Sequence, residues 1–178
     1  MVLRYCVVVL ASAVLAAVLA LSVSAVEPEK AEAASSVKTC GGGKIKLNAK
    51  EESTLRLHNR TRTNRGLKPL CVHPALTKAA RAHSANMIRK DYFGHGDVGR
   101  RLKRHGYNWR VYAENIAAGG TGKYTRPTNT FRRWMNSSGH RKNILDRRFR
   151  EIGIGTATGT FKGKRGYTMY TVDFGTRR

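Results

Sequence analysis

The chain has 178 residues, 40% of them hydrophobic, and a net charge of +23 from 34 basic and 11 acidic side chains. This length is one domain by default, with enough apolar patterning for a real core, and three cysteines are too few for a disulfide-built scaffold. The charge has two readings, which composition leaves open: a partner of polyanions (teichoic polymers, acidic lipid, nucleic acid or acidic glycans), or an organism that favours arginine codons.

Residues 1–25 carry one charge, Arg4, followed by an uncharged run over 7–26. Val23-Ser24-Ala25 has the small-residue pattern of a signal-peptidase site, so 1–25 is expected to be a signal peptide. The alternative is an uncleaved anchor, because the run approaches the roughly 20 residues of a membrane span. Cys6 follows Arg-Tyr, which is no lipobox. Cleavage would remove only Arg4 and take the net charge from +23 to +22. Residues 26–46 read as a linker with little regular structure before Cys40, and 47–178 as the folded domain. Cys40 and Cys71 are the cysteines that remain after processing. In an exported protein such a pair reads as a disulfide, the alternative being two free buried thiols.

Asn48 and Glu51 have capping-box spacing, which predicts a helix start there and an end at Gly66. His58, Asn59 and Arg62 on this helix read as polar packing rather than chemistry. His73-Pro74 opens a second helix, with Leu76, Ala80, His83 and Met87 on one stripe, ending near Asp91. His83 lies on that stripe and reads as a core histidine. His95 sits instead between two glycines, in a loop after Tyr92-Phe93. Residues 98–105 form a short basic helix, whose Arg100, Arg101, Lys103 and Arg104 read as a solvated face.

Ala113-Glu114-Asn115-Ile116-Ala117 predicts a strand or its edge. Glu114 shares a face with Tyr112 and Ile116, an apolar setting in which a carboxylate needs a partner. The glycine-rich loop at 119–127 lacks the glycine and hydroxyl spacing of a phosphate loop. Pro127 starts a helix with Phe131, Trp134 and Met135 on one face. Ser137-Ser138-Gly139 stops it, placing His140 at a corner before a second short helix carrying Ile144 and Leu145. Ile152 and Ile154 then alternate with Gly153 and Gly155 in a strand over 151–157. A turn at 159–166 and a strand over 167–174 complete a hairpin. No zinc-finger or helix-turn-helix pattern is present, so no specific nucleic-acid partner is expected.

W-x-x-S-x-G-H-R-x-N-I-L at 134–145 followed by E-I-G-I-G at 151–155 resembles the bacterial branch of the CAP superfamily, also called SCP or pathogenesis-related-1-like domains. HNRTR at 58–62, GLKPL at 66–70, AARAHS at 79–84, FGH at 93–95, AENIA at 113–117 and YTVDFG at 170–175 match in order. The resemblance runs from about residue 47 to residue 175. It implies an α+β fold, a three-layer α-β-α sandwich with a small antiparallel sheet, and a wide cleft lined by two histidines and two glutamates. Carried over residue by residue, the histidines are His95 and His140 and the first glutamate is Glu114. Ser137 stands where the second glutamate falls in fuller members.

Two neutral imidazoles can ligate zinc or another borderline divalent cation, with Glu114 orienting one of them or acting on bound water. His95 and His140 are therefore the candidate ligands of a weak accessory metal site. Ser137 beside His140 lacks an acidic orienter and an oxyanion loop, which argues against a serine hydrolase. The resemblance leaves two function classes. One is a secreted, monomeric binding module that engages a lipid or anionic cell-envelope polymer and meets membrane only transiently or through an uncleaved N-terminal segment. The other is a metal-assisted extracellular hydrolase of peptide or envelope substrates. The departure at Ser137 favours binding.

Overall fold

In the computed structural model, which describes residues 35–178, EIGIG begins the strand on which the sheet is built. That strand, β5 (Glu151–Phe161), turns straight into β6 (Lys164–Arg177). Lys162 and Gly163 make the turn, both at positive φ (48° and 74°), the backbone that suits a two-residue hairpin. The hairpin is longer than the sequence pattern implies, because ladder pairing continues through the polar residues on either side of the turn. β4 (Trp109–Gly119) pairs antiparallel with the far side of β6. β3 (Cys71–Val72) pairs parallel with β5, so the sheet order is β3-β5-β6-β4 and β4 is an edge.

Helices cover both faces. α1 (Ala49–Thr63), α4 (Pro127–Asn136) and α5 (Ser138–Leu145) lie on one, where Leu55, Phe131, Trp134 and Ile144 pack with Ile152, Ile154, Val172 and Phe174. α2 (Pro74–Arg89) and α3 (Val98–Arg104) lie on the other, where Leu76, Leu102 and Tyr107 cluster. This is the three-layer α-β-α sandwich. The alternation of EIGIG explains how closely α2 approaches. A Cβ on Gly153 would lie 2.1 Å from the Leu76 carbonyl carbon, and one on Gly155 would lie 2.1 Å from the Arg81 nitrogen. Bulky Ile side chains fill one face of β5 while the other is left bare for a helix backbone.

The capping box of α1 forms as its spacing predicts, with Asn48 accepting from Glu51 N and Glu51 accepting from Asn48 N. The helix stops at Thr63, a turn before Gly66, whose φ of 67° belongs to the loop that follows. His58 is buried with Nδ1 2.8 Å from the Thr54 carbonyl oxygen. Asn59 exchanges two hydrogen bonds with the Leu70 backbone. Arg62 is also buried and donates to the carbonyls of Lys68, Ile144 and Asp146. These polar residues hold elements together, and Arg62 satisfies free carbonyls at the end of α5.

The stretch expected to be a linker contains a hairpin in its C-terminal part, β1 (Ser35–Lys38) paired with β2 (Lys44–Leu47). Val37 and Ile45 pair across it and pack on the core below, apolar contacts too sparse in sequence to register as a strand pattern. Cys40 and Cys71 form a disulfide with a Cα–Cα distance of 5.3 Å. It ties this hairpin to β3, beside the backbone hydrogen bond from Cys40 N to Val72 O. The expected signal peptide, residues 1–25, lies outside the described residues.

Candidate functional site

The site lies across the edge strand β4, whose alternation sends neighbouring side chains to opposite layers. Tyr112, Glu114 and Ile116 face α2 and α3, and Ala113, Asn115 and Ala117 face α4 and α5. A cleft of about 450 Å³ opens over this edge. His95, Glu114, Ser137 and His140 all line it, along with Lys142, Asn143 and Arg148.

Glu114 is the buried anchor. Its Oε1 lies 2.7 Å from His95 Nδ1 and 3.9 Å from His83 Nε2, and its Oε2 accepts from Arg101 Nη2. A carboxylate acceptor places the proton of His95 on Nδ1 and leaves the Nε2 lone pair free. Arg101 also donates from Nη1 to the His95 carbonyl at 2.9 Å, so one guanidinium holds both the carboxylate and the loop that carries the histidine. The loop ends in Gly96 at a φ of 59°, and Asp97 caps α3 by accepting from Arg100 N. His95 itself is 51% exposed at its side chain.

Helix α3 departs from its sequence reading. Arg100 and Lys103 are exposed, but Arg101 is only 6% exposed and faces Glu114. A basic residue on a basic helix gives no local sign of which turn points inward. His83 is buried as its stripe predicts, and it is also a neighbour of the site. Burial, and then the Arg101 guanidinium, lower its pKa to about 4. Its Nε2 has no hydrogen-bond partner.

His140 comes from the opposite layer. It lies within the first turn of α5 rather than at a free corner, because Ser137, extended at φ −96° and ψ 124°, is the single break between α4 and α5. The Ser137 side chain does not cap the helix. A pair of asparagines latches this turn to β4. Asn115 Nδ2 donates to the His140 carbonyl at 3.1 Å, and Asn143 Nδ2 donates to Asn115 Oδ1 at 2.9 Å. Burial first, and then the charges of His95 and Arg133, push the pKa of the His140 imidazole below its ordinary value. Both asparagines sit inside the motifs read above, yet their role depends on a contact 28 residues apart. Asp173, directly opposite Glu114 on β6 and fully buried, is likewise invisible to local pattern.

The arrangement presents two imidazoles to one cleft, one of them oriented by a carboxylate behind it. Two imidazoles are fewer than the three protein ligands of an open zinc site, and among the described residues His95, Glu114 and His140 do not bring three ligand atoms within 4.8 Å of one another.

The model of the cysteine-rich secretory protein (CAP) family matches residues 55–174. The chain belongs to the CAP family. It is 40% identical over 114 residues to the uncharacterized protein YkwD of Bacillus subtilis, an alignment covering 61% of this chain and 43% of that one. A solved extracellular protein containing an SCP domain from Bacillus anthracis superposes with a TM-score of 0.60 at 29% identity, over 72% of this chain and 40% of that one. An outer surface protein from Borrelia burgdorferi shares the fold, with a TM-score of 0.62 at 15% identity over 82% of this chain and 99% of that one. The chain thus spans less than half the length of YkwD and of the Bacillus anthracis protein. Among the described residues of this CAP chain, no helix is long and apolar enough to cross a membrane.

Proposed function

We propose that this CAP domain is a secreted binding module whose cleft engages an anionic lipid or cell-envelope polymer, with His95 and His140 available to an accessory divalent cation such as zinc. The observation that carries the reading is how charge is distributed across the cleft. Glu114 is already matched by Arg101 and His95, and Asp146 is matched by Arg148 at 2.6 Å, whereas Lys142 stands exposed beside the two imidazoles. An approaching anion meets the Lys142 cation rather than free carboxylates. The net charge of +23 draws polyanions to the molecule from a distance. Ser137 in place of the family's second glutamate favours binding over metal-centred hydrolysis, since it takes one carboxylate from the cleft and the remaining Asp146 is held by Arg148.

When bound, zinc would supply a positive centre for an anionic group. The chain's own contribution is to hold His95 with Nε2 outward through Glu114, and to hold His140 through the Asn115–Asn143 latch. The extracellular or surface character of the similar solved proteins supports secretion.

Binding to vesicles of phosphatidylcholine with and without phosphatidylglycerol tests this reading. Binding is expected only with the anionic lipid, weakening steeply as salt rises. Lys142→Ala should weaken it further. Equal binding to both vesicle types, or none to either together with none to a soluble polyanion such as polyphosphate, would sink the proposal.

A further inference from the structure

The sheet places a second carboxyl group behind the cleft. Asp173 on β6 pairs in register with Glu114 on β4, so both side chains leave the sheet on the α2–α3 face. Asp173 is 0% exposed, and neither of its oxygens has a hydrogen-bond partner. Its neighbour on the other side, in β5, is Gly153, which offers no side chain. Over that glycine lies the α2 backbone at Leu76 and Thr77. The charged and titratable groups facing this pocket are Glu114 from β4, Arg101 from α3, His83 from α2 and His95 from the preceding loop. Two carboxyl groups thus share one guanidinium, whose Nη1 and Nη2 are committed to the His95 carbonyl and to Glu114 and whose buried Nε bonds neither oxygen of Asp173.

We propose that Asp173 is a neutral carboxylic acid in the native protein at neutral pH, donating its proton to Glu114 and acting as a positioning residue for the Glu114–His95 pair. An ionised Asp173 would be a fully buried anion with no donor of its own, beside a second carboxylate, an arrangement that burial strongly disfavours. As an acid it gains the donor that such a site requires. Burial, and next the charge of Glu114, push its carboxyl well above the usual carboxylate range, and the opposing pull of Arg101 is the smaller effect. With Asp173 neutral, the cluster holds one carboxylate against one guanidinium. His95 then donates from Nδ1 without facing a double negative charge, and its Nε2 remains available to the cleft.

The inference stands on the Glu114 cluster and is independent of what the cleft binds, so its test needs no ligand. The chain has four aspartates, Asp91, Asp97, Asp146 and Asp173. Carbon-13 labelling of aspartate in the full chain gives four carboxyl resonances, each assigned through its own backbone. At neutral pH the Asp173 resonance is expected at the position of a protonated acid, with a deuterium isotope shift. An Asp173 resonance at the ionised position at neutral pH overturns the proposal, and this readout comes from the wild-type protein whether or not any variant folds. Asp173→Asn supplies the second arm, because it replaces one neutral donor with another. The ring titration curve of His95, followed by nuclear magnetic resonance, should overlay that of the wild type. A shift of that curve to lower pH would mean that a negative charge had been removed, which also overturns the proposal.

Discussion

Nδ1 of His95, an exposed loop residue, lies 2.7 Å from Oε1 of Glu114, a carboxylate buried behind the edge strand. The pair joins the accessible surface of the cleft to the charged interior of the α2–α3 layer. Nineteen residues separate the two in sequence, and Arg101 clamps them together by bonding both the carboxylate and the histidine carbonyl. A ring held in this way presents a fixed nitrogen to a ligand.

Zinc affinity should follow that geometry. Calorimetric titration of His95→Ala and His140→Ala should show at least a tenfold loss, about 1.4 kcal/mol, with little change in thermal stability. His83→Ala should instead lower stability and leave zinc binding nearly intact, since His83 is buried in the α2–α3 layer. Binding should weaken on acidification, as protons compete with the metal for imidazole nitrogen, with His140 gaining its proton below the ordinary histidine range. Ser137→Glu should tighten it by adding a carboxylate to the cleft. Wild-type affinity in both the His95 and His140 variants would mean that zinc does not use the cleft.

Gly153→Ala should be strongly destabilising although it adds one methyl group. The new Cβ would meet the α2 backbone at 2.1 Å, and backbone cannot rotate away as a side chain can. A loss of about 3 kcal/mol or more is expected from urea unfolding. A loss below about 1 kcal/mol would show that α2 can lift off β5 at little cost.

Acid should destabilise the fold through His58. It is enclosed by the rings of Phe131, Trp134 and Phe174, and burial lowers its pKa to about 4. Its pKa is depressed on folding, so the unfolded chain binds the extra proton between about 4 and 6.5. The stability it contributes is present above that window and lost as pH falls through it, on the order of 3 kcal/mol in full. Asp173, with its raised carboxyl, slopes the opposite way: the stability linked to its proton falls as pH rises above the ordinary aspartate range. The comparison that isolates His58 is therefore wild type against His58→Leu at each pH. The variant should lose less stability than wild type between pH 7 and pH 4.5, and parallel curves would refute the assignment.

The Cys40–Cys71 bond closes a loop of 31 residues and fastens the β1–β2 hairpin to the sheet. Replacing both cysteines with serine should lower the unfolding free energy by about 3–4 kcal/mol in the chain-entropy model. Hydrogen exchange should show the loss first in the backbone of the β1–β2 hairpin. An unchanged denaturation midpoint would mean that the hairpin is held by its packing alone.

Much of this protein is legible in its sequence because the responsible signals are local. The capping box at Asn48, the apolar stripe of α2 and the Ile–Gly alternation of β5 are each written within a few residues, and helix, strand and face follow from them. The ordered motifs from HNRTR to YTVDFG identify the family, and the glycine-flanked His95, the Glu114 strand and the GHR motif mark the cleft. What only the tertiary structure decided depends on register and on which turn of a helix points inward. Arg101 looks like its exposed neighbours Arg100 and Lys103 until α3 is docked against β4. Asp173 looks like an ordinary strand residue until β6 pairs with β4 and sets it opposite Glu114. Asn115 and Asn143 become a latch only when α5 lies over the sheet edge. The energy of a charged or polar group is set by the partners that folding brings within a few ångströms, and those partners lie far away along the chain.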